Sequence, residues 1–150
     1  MIVVSNTSPL IALSRIGRLD IFKKLFGKIT ITPEVLSEVL PKDKNGDYEH
    51  INNAVNDFIN VQSTTYDYPF KRTIDKGERS VLNLANELDA DILIIDDRKA
   101  RNEAVEMKIK AFLAYTTDIL KQAENDKIII SYKEIQSELK QKNIYLPDLE

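Results

Sequence analysis

The chain has 150 residues, 43% of them hydrophobic and 30% charged, and a net charge of −3, which suits one globular domain and excludes a disordered tail. With no cysteine and a single histidine, His50, disulfides, thiolate sites and multi-histidine metal sites are excluded within one chain, so any metal must be held by oxygen, as Mg²⁺ and Mn²⁺ are. The apolar runs fall well short of the roughly 20 residues of a membrane helix, and the acidic balance lacks the global basic footprint of a DNA-coating protein.

Ile2 to Ser5 is a β-branched run that stops at Asn6-Thr7-Ser8-Pro9. It predicts a buried strand followed by a helix start, with Thr7 or Ser8 as N-cap and Pro9 in the first helical position. The helix carries Leu10, Ile11, Leu13 and Ile16 and ends near Gly17; a second short helix, with Leu19, Ile21, Phe22, Leu25 and Phe26, closes at Gly27. Ile29 to Ile31 is a second strand, and Thr32-Pro33-Glu34 opens a helix whose apolar side is Val35, Leu36, Val39 and Leu40. Pro41 to Tyr48 reads as a mobile loop, Glu49 to about Ile59 as a helix, and Val61 to Ser63 as a short edge strand.

Asp75 to Leu88 predicts a strong helix with Val81, Leu82, Leu84, Ala85 and Leu88 as its buried stripe. Ile92 to Ile95 is apolar throughout, as a central parallel strand is, and it runs into Asp96-Asp97. Arg98 to Met107 is helical, Ala111 to Ala114 is a strand, and two helices follow near Asp118 to Glu124 and Tyr132 to Lys142. Strands alternating with helices imply a three-layer α/β/α fold around a mainly parallel sheet. Sites in such folds form at the carboxyl ends of the strands. Asn6 and Asp96-Asp97 should therefore open onto one edge.

Adjacent carboxylates at the end of a buried strand are the sharpest local signal, although an Asp in that place also caps the next helix. Glu78 stands three residues after Asp75, a capping-box spacing that needs no catalysis to explain it. Glu38 is a helical glutamate of the kind usually solvated, and Asn6 could brace its own turn. Arg98, Lys99 and Arg101 form either a solvated helix face or a contact to phosphate. Thr7 and Ser8 either cap a helix or orient water at a metal. Asp118 is a weaker additional acid, explicable as a first-turn residue. Tyr66, Tyr68 and Phe70 are either exposed for a partner or packed over their own sheet edge.

Taken together, VVSNTSPLIALSRIGRLD, TPEVLSEVL, KGERSVLNLANELDADILIIDDRKAR and KAFLAYTTDIL resemble PIN-like domains, nearest to a small prokaryotic group of them. The resemblance extends through the tail YKEIQSELKQKNIYLPDLE, and SNTSPLIAL and LIIDDRKAR are its most specific stretches. It implies one PIN-like domain over 1–150 with a C-terminal helical extension from about 130. It also implies an acidic quartet holding Mg²⁺ or Mn²⁺, at which a metal-activated water cleaves a phosphodiester, usually in RNA. Carried onto this chain, the quartet falls on Asn6, Glu38, Glu78 and Asp97, with Asp96 as neighbour and Thr116 as a pocket hydroxyl. The chemistry is coherent, because clustered carboxylates repel and a divalent cation relieves that repulsion.

The departure is Asn6, where the family has aspartate; an amide oxygen still ligates a hard ion but brings no charge. The resulting expectations are a cytoplasmic metal-dependent ribonuclease acting on RNA, or on DNA, with the toxin of a toxin–antitoxin pair as one setting. An antitoxin-type protein and a second copy of the chain are its expected partners, and no membrane is. The alternative is a catalytically weakened nucleic-acid- or protein-binding module on the same fold. A receiver-like domain fits less well, lacking the further mid-chain Asp and the later Lys it requires.

Overall fold

A computed structural model describes residues 1–40 and 45–147. Five short strands, β1 (Val3–Ser5), β2 (Ile29–Ile31), β3 (Ile59–Val61), β4 (Ile92–Ile94) and β5 (Phe112–Ala114), form a wholly parallel sheet in the order β3-β2-β1-β4-β5. The helices among the described residues are α1 (Thr7–Arg15), α2 (Asp20–Phe26), α3 (Pro33–Val39), α4 (Asp47–Val55), α5 (Lys76–Glu87), α6 (Arg98–Glu106), α7 (Thr116–Asn125) and α8 (Tyr132–Gln141).

From β1 the chain builds outward to β2 and β3, then returns to the other side of β1 for β4 and β5. Parallel crossovers are right-handed, so the reversal sends the later helices to the opposite face of the sheet from the earlier ones. This is the α/β layering expected of a PIN-like fold. Val4 stands between Thr30 on β2 and Leu93 on β4, and both Val4 and Leu93 are fully buried. Strands covered on both faces must be apolar on both, which explains the unbroken Ile92 to Ile95 run.

The local boundaries differ from expectation in four places. Helix α1 begins at Thr7 with Asn6 as N-cap, and the Asn6 side chain makes no capping hydrogen bond. Pro9 is thus third in the helix rather than first, still within the turn whose N–H groups have no helical partner. Strand β3 is Ile59–Val61, not Val61 to Ser63, because Ile59 pairs with Ile29 and the Phe58 carbonyl accepts from the Ile29 N–H at 2.9 Å. The preceding helix ends accordingly at Val55, and its start at Asp47 lies inside the expected loop. Pro41 to Lys44 of that loop lie outside the described residues. Finally, α7 starts at Thr116, ahead of Asp118.

Asp47 is itself fully buried, accepting from Ser14 Oγ at 2.9 Å and Arg15 Nε at 2.8 Å, so a charged pair joins α4 to α1. Such a pair is costly to break from one side, because it leaves a buried charge uncompensated. The C-terminal part continues the same core: α8 buries Ile135 and Leu139 and packs on α7, and the chain then turns back through Asn143 to Pro147. Residues 148–150 of the expected extension lie outside the described residues.

Four helix ends share one geometry. Asp89, Lys108, Lys127 and Asn143 all take positive φ, between 50° and 63°. In each case the next N–H reaches back five residues, from Ala90 to Ala85, Ile109 to Ala104, Ile128 to Ala123 and Ile144 to Leu139. These are Schellman ends, usually built on glycine. A β-carbon in the left-handed region is unfavourable by roughly 1–2 kcal/mol. Lys127→Gly at its exposed site should therefore stabilise the fold by about 0.5–1 kcal/mol. Thermal unfolding should show a rise of roughly 1–4 °C.

Candidate functional site

Because the crossovers part at β1, the crevice of this sheet lies at the carboxyl ends of β1 and β4. Asn6 leaves β1 there and is tied to its neighbour by an N–H bond to the Ile94 carbonyl at 3.0 Å. Its side chain is buried and its Oδ1 has no hydrogen-bond partner. A buried carbonyl oxygen left bare costs about 1–3 kcal/mol unless a ligand or water completes it.

Glu38 comes from α3 and is held from two directions. Thr7 Oγ1 donates to its Oε2 at 2.8 Å, and the Gly77 N–H donates to its Oε1 at 3.0 Å. Gly77 is the second residue of α5, where unpaired N–H groups and the helix dipole favour an anion. A β-carbon at Gly77 would stand 2.2 Å from Glu38 Oε1, so only glycine allows this approach. Beneath it, a buried relay joins the same helices: Val35 N–H to Thr32 Oγ1, Thr32 Oγ1 to Ser80 Oγ, and Ser80 Oγ to the Gly77 carbonyl.

Glu78 closes a capping box, its Oε1 accepting from the Asp75 N–H at 3.1 Å and its own N–H donating to Asp75 Oδ1 at 2.8 Å. Burial pushes the Glu78 carboxyl up to about 7, against the lowering effect of the Asp75 N–H. The negative charges of Asp75, Asp97 and Glu38 push in the same upward direction. Glu38 and Asp97 therefore both bear on Glu78 electrically, although the three come from α3, the end of β4 and α5.

The two aspartates after β4 have separate partners. Asp96 takes the Thr116 N–H at 2.8 Å and the Thr116 hydroxyl at 2.7 Å, and burial raises its carboxyl above the ordinary value against those bonds. Asp97 Oδ2 caps α6 by accepting from the Ala100 N–H at 2.9 Å. Glu78 and Asp97 each keep one carboxylate oxygen with no hydrogen-bond partner among the described residues, whereas both oxygens of Glu38 and of Asp96 are engaged.

A cavity of about 550 Å³ is lined by Ser8, Ile11, Ala12, Glu78, Asp96 and Asp97 together with Asn143 to Pro147. Glu38 opens instead on the neighbouring hollow with Asp75 and Lys76, across the start of α5. Of the other expected residues, Thr7 and Thr116 are buried and hold Glu38 and Asp96, while Ser8 is exposed. Arg98 and Lys99 are exposed at the start of α6. Arg101 is committed to the fold: it donates to the carbonyls of Ile95 and Leu113 at 2.7 and 2.9 Å and stacks 3.6 Å from the Tyr115 ring centre. Asp118 accepts from the Tyr115 N–H and so secures the start of α7. Tyr68 and Phe70 pack on each other with Arg79 over Phe70, and Tyr66 is exposed. Sequence reasoning missed Gly77 and the 143–147 wall, although Lys76-Gly77-Glu78, a glycine inside a helix start, was a signal for the first.

Among the described residues no three acidic or histidine side chains already converge to enclose an ion. The donor set still suits a hard cation: it is all oxygen, net negative, and includes the bare buried Oδ1 of Asn6.

A parallel five-stranded sheet flanked by helices, with acidic side chains at its switch point, is consistent with a PIN-like α/β domain. Residues 2–149 match the PIN domain family DUF3368, and the chain belongs to that family. Among solved structures it is similar to a PilT N-terminus domain protein, SSO1118, from the hyperthermophilic archaeon Sulfolobus solfataricus P2. The identity is 20%, the TM-score is 0.58, and the match covers 82% of this chain and 93% of that one. No curated protein matches the chain. Membership brings a nuclease-type fold, and no helix among the described residues is long and apolar enough to cross a membrane.

Gly77→Ala should expel the Glu38 carboxylate while the buried relay keeps α3 on α5. Manganese titration by calorimetry should then show binding weakened by about tenfold or more, with unfolding changed little. A carboxyl raised on folding favours the folded state when protonated, so the contribution of Glu78 is full below about 4.5 and is lost as pH rises through about 7. Urea unfolding of metal-free protein across that window should show the fall, and Glu78→Gln should flatten it; Asp96 works in the same direction.

Proposed function

We propose that the chain is a metal-dependent ribonuclease, with Asn6, Glu38, Glu78 and Asp97 as the residues that hold Mg²⁺ or Mn²⁺ and Asp96 beside them. The observation that carries this reading is the bare, buried Asn6 Oδ1 at the same strand edge as Glu78, whose carboxyl is pushed up to about 7 by burial and by the charges of Asp75, Asp97 and Glu38. When bound, the cation supplies the positive charge that lets a phosphodiester approach this acidic edge and makes water easier to deprotonate.

The remaining roles belong to the chain's own groups. Glu78, which lines the cavity and keeps one carboxylate oxygen without a hydrogen-bond partner among the described residues, accepts a proton from attacking water and can return one to the leaving oxygen. Asp97 brings its open oxygen to the cavity, and Glu38 adds charge from the far side of the α5 start. Thr7 and Gly77 hold Glu38, and Thr116 holds Asp96, so these are positioning residues. Ser8 at the cavity, and the exposed Arg98 and Lys99 that follow Asp97, would contact the substrate's phosphates, whereas Arg101 acts through the backbone it braces. The substrate is RNA, with DNA as the other nucleic acid the site chemistry allows. In the toxin setting an antitoxin-type segment would fill the same cavity, the chain would pair with a second copy, and the protein would work in the cytoplasm.

Asn6 favours one second reading, a weakened site that binds nucleic acid without cutting it, because its amide removes a charge from the ion's ligands. A substitution series separates the two. Mn²⁺ should bind at a defined ratio and weaken by at least about tenfold, or about 1.4 kcal/mol, in Asp97→Asn. Wild-type protein should cleave single-stranded RNA only with Mn²⁺ or Mg²⁺, and Glu78→Gln should slow cleavage by roughly 10²–10⁴. Metal binding without cleavage in the wild type, with cutting gained in Asn6→Asp, would establish the binding module instead.

A further inference from the structure

The cavity at the carboxylates has two unlike walls. One carries Glu78, Asp96 and Asp97; the other is made by Ile144, Tyr145, Leu146 and Pro147, with Ile11 and Ala12 also in the lining. A cation and a phosphate make use of the first wall only. The second is apolar, and it is a built surface: the Ile144 N–H is bonded to the Leu139 carbonyl at 2.9 Å, and the Pro147 carbonyl accepts from Thr117 Oγ1 at 3.3 Å. Ile144 and Leu146 pack against the core on either side of Tyr145. Tyr145 itself is 70% exposed, an aromatic ring presented by a segment anchored on both flanks.

A nucleotide has the matching pair of ends, an anionic phosphate and a flat, largely apolar base. The volume, about 550 Å³, lies within the range of roughly 300–1,000 Å³ typical of ligand pockets. We infer that the 143–147 segment is the base-binding wall of the cleft and that Tyr145 is a stacking platform for an unpaired nucleobase. The inference rests on the nuclease reading for the phosphate end and adds the base end. Its consequence is selectivity for single strands, since a base inside a duplex offers no free face. Tyr145 sets position and strand preference; it does not take part in bond breaking.

The test is binding of a short single-stranded RNA carrying 2-aminopurine, read by anisotropy and by quenching of the reporter base, with Ca²⁺ replacing Mn²⁺. Wild-type protein should quench the reporter and should bind a blunt duplex more weakly. Tyr145→Ala should weaken single-strand binding by about five- to a hundredfold and abolish quenching, with Mn²⁺ binding unchanged. Tyr145→Phe and Tyr145→Trp should both restore quenching, because stacking needs the ring and not the hydroxyl. Unchanged affinity and quenching in Tyr145→Ala would overturn the inference and leave the nuclease reading standing, as would loss of RNA and Mn²⁺ binding together, the mark of a merely structural residue. Wild-type protein that binds Mn²⁺ but no strand of any kind would overturn both.

Discussion

The grip on the Glu38 carboxylate is the constraint that fixes the acidic edge of this molecule. One oxygen takes the hydroxyl that opens α1 and the other takes an N–H that opens α5, while the residue itself belongs to α3. Those three helices follow three different strands, β1, β2 and β3, so a single side chain near the end of α3 ties the starts of α1 and α5 to it. Ordinary packing tolerates small sliding of helices, whereas two charge-assisted hydrogen bonds of 2.8 and 3.0 Å do not. The missing β-carbon at Gly77 is the steric condition for it, and the Thr32–Ser80 relay is its buried support.

The same edge is electrostatically unfavourable to the empty fold. Glu78 holds its proton to about 7 because burial and three neighbouring negative charges disfavour its ionised form. The hydrogen bonds at Asp96, Asp97 and Glu38 offset part of that cost by making each carboxylate useful to the backbone. Asn6 works in the same sense: a neutral amide at the most enclosed position spares the fold a further buried charge and lowers the pull on any cation. On the proposed reading, that substitution would exchange some ligand strength for stability, a balance commonly struck at functional sites.

Much of this was legible in the residues. The apolar run of β4, the β-branched β1 and the capping chemistry of α3 and α5 announce themselves through local pattern. So does the convergence of Asn6 with Asp96 and Asp97, which follows from parallel-strand topology alone. What could not be read was non-local or lacked its usual marker. Phe58 and Ile59 continue a helical spacing, and only pairing with Ile29 turns them into β3. The four left-handed helix ends use Asp, Lys and Asn where glycine would signal a stop. Arg101 has the sequence context of a phosphate ligand, yet the carbonyls at the ends of β4 and β5 claim its guanidinium. The return of 143–147 across the cleft is a tertiary event with no local trace.

Those glycine-free helix ends divide labour between adjacent residues. The left-handed position supplies a bend that many side chains tolerate at modest cost, while the apolar residue after it decides where the outgoing chain is aimed. At the end of α8 the bend is Asn143 and the aim is Ile144, seated against the core. A change at the first of these positions alters stability but not direction, whereas a change at the second re-angles everything downstream. The cleft's outer wall can thus be retuned from a side chain that carries no charge and no polar atom, leaving the chemistry of the acidic centre as it is.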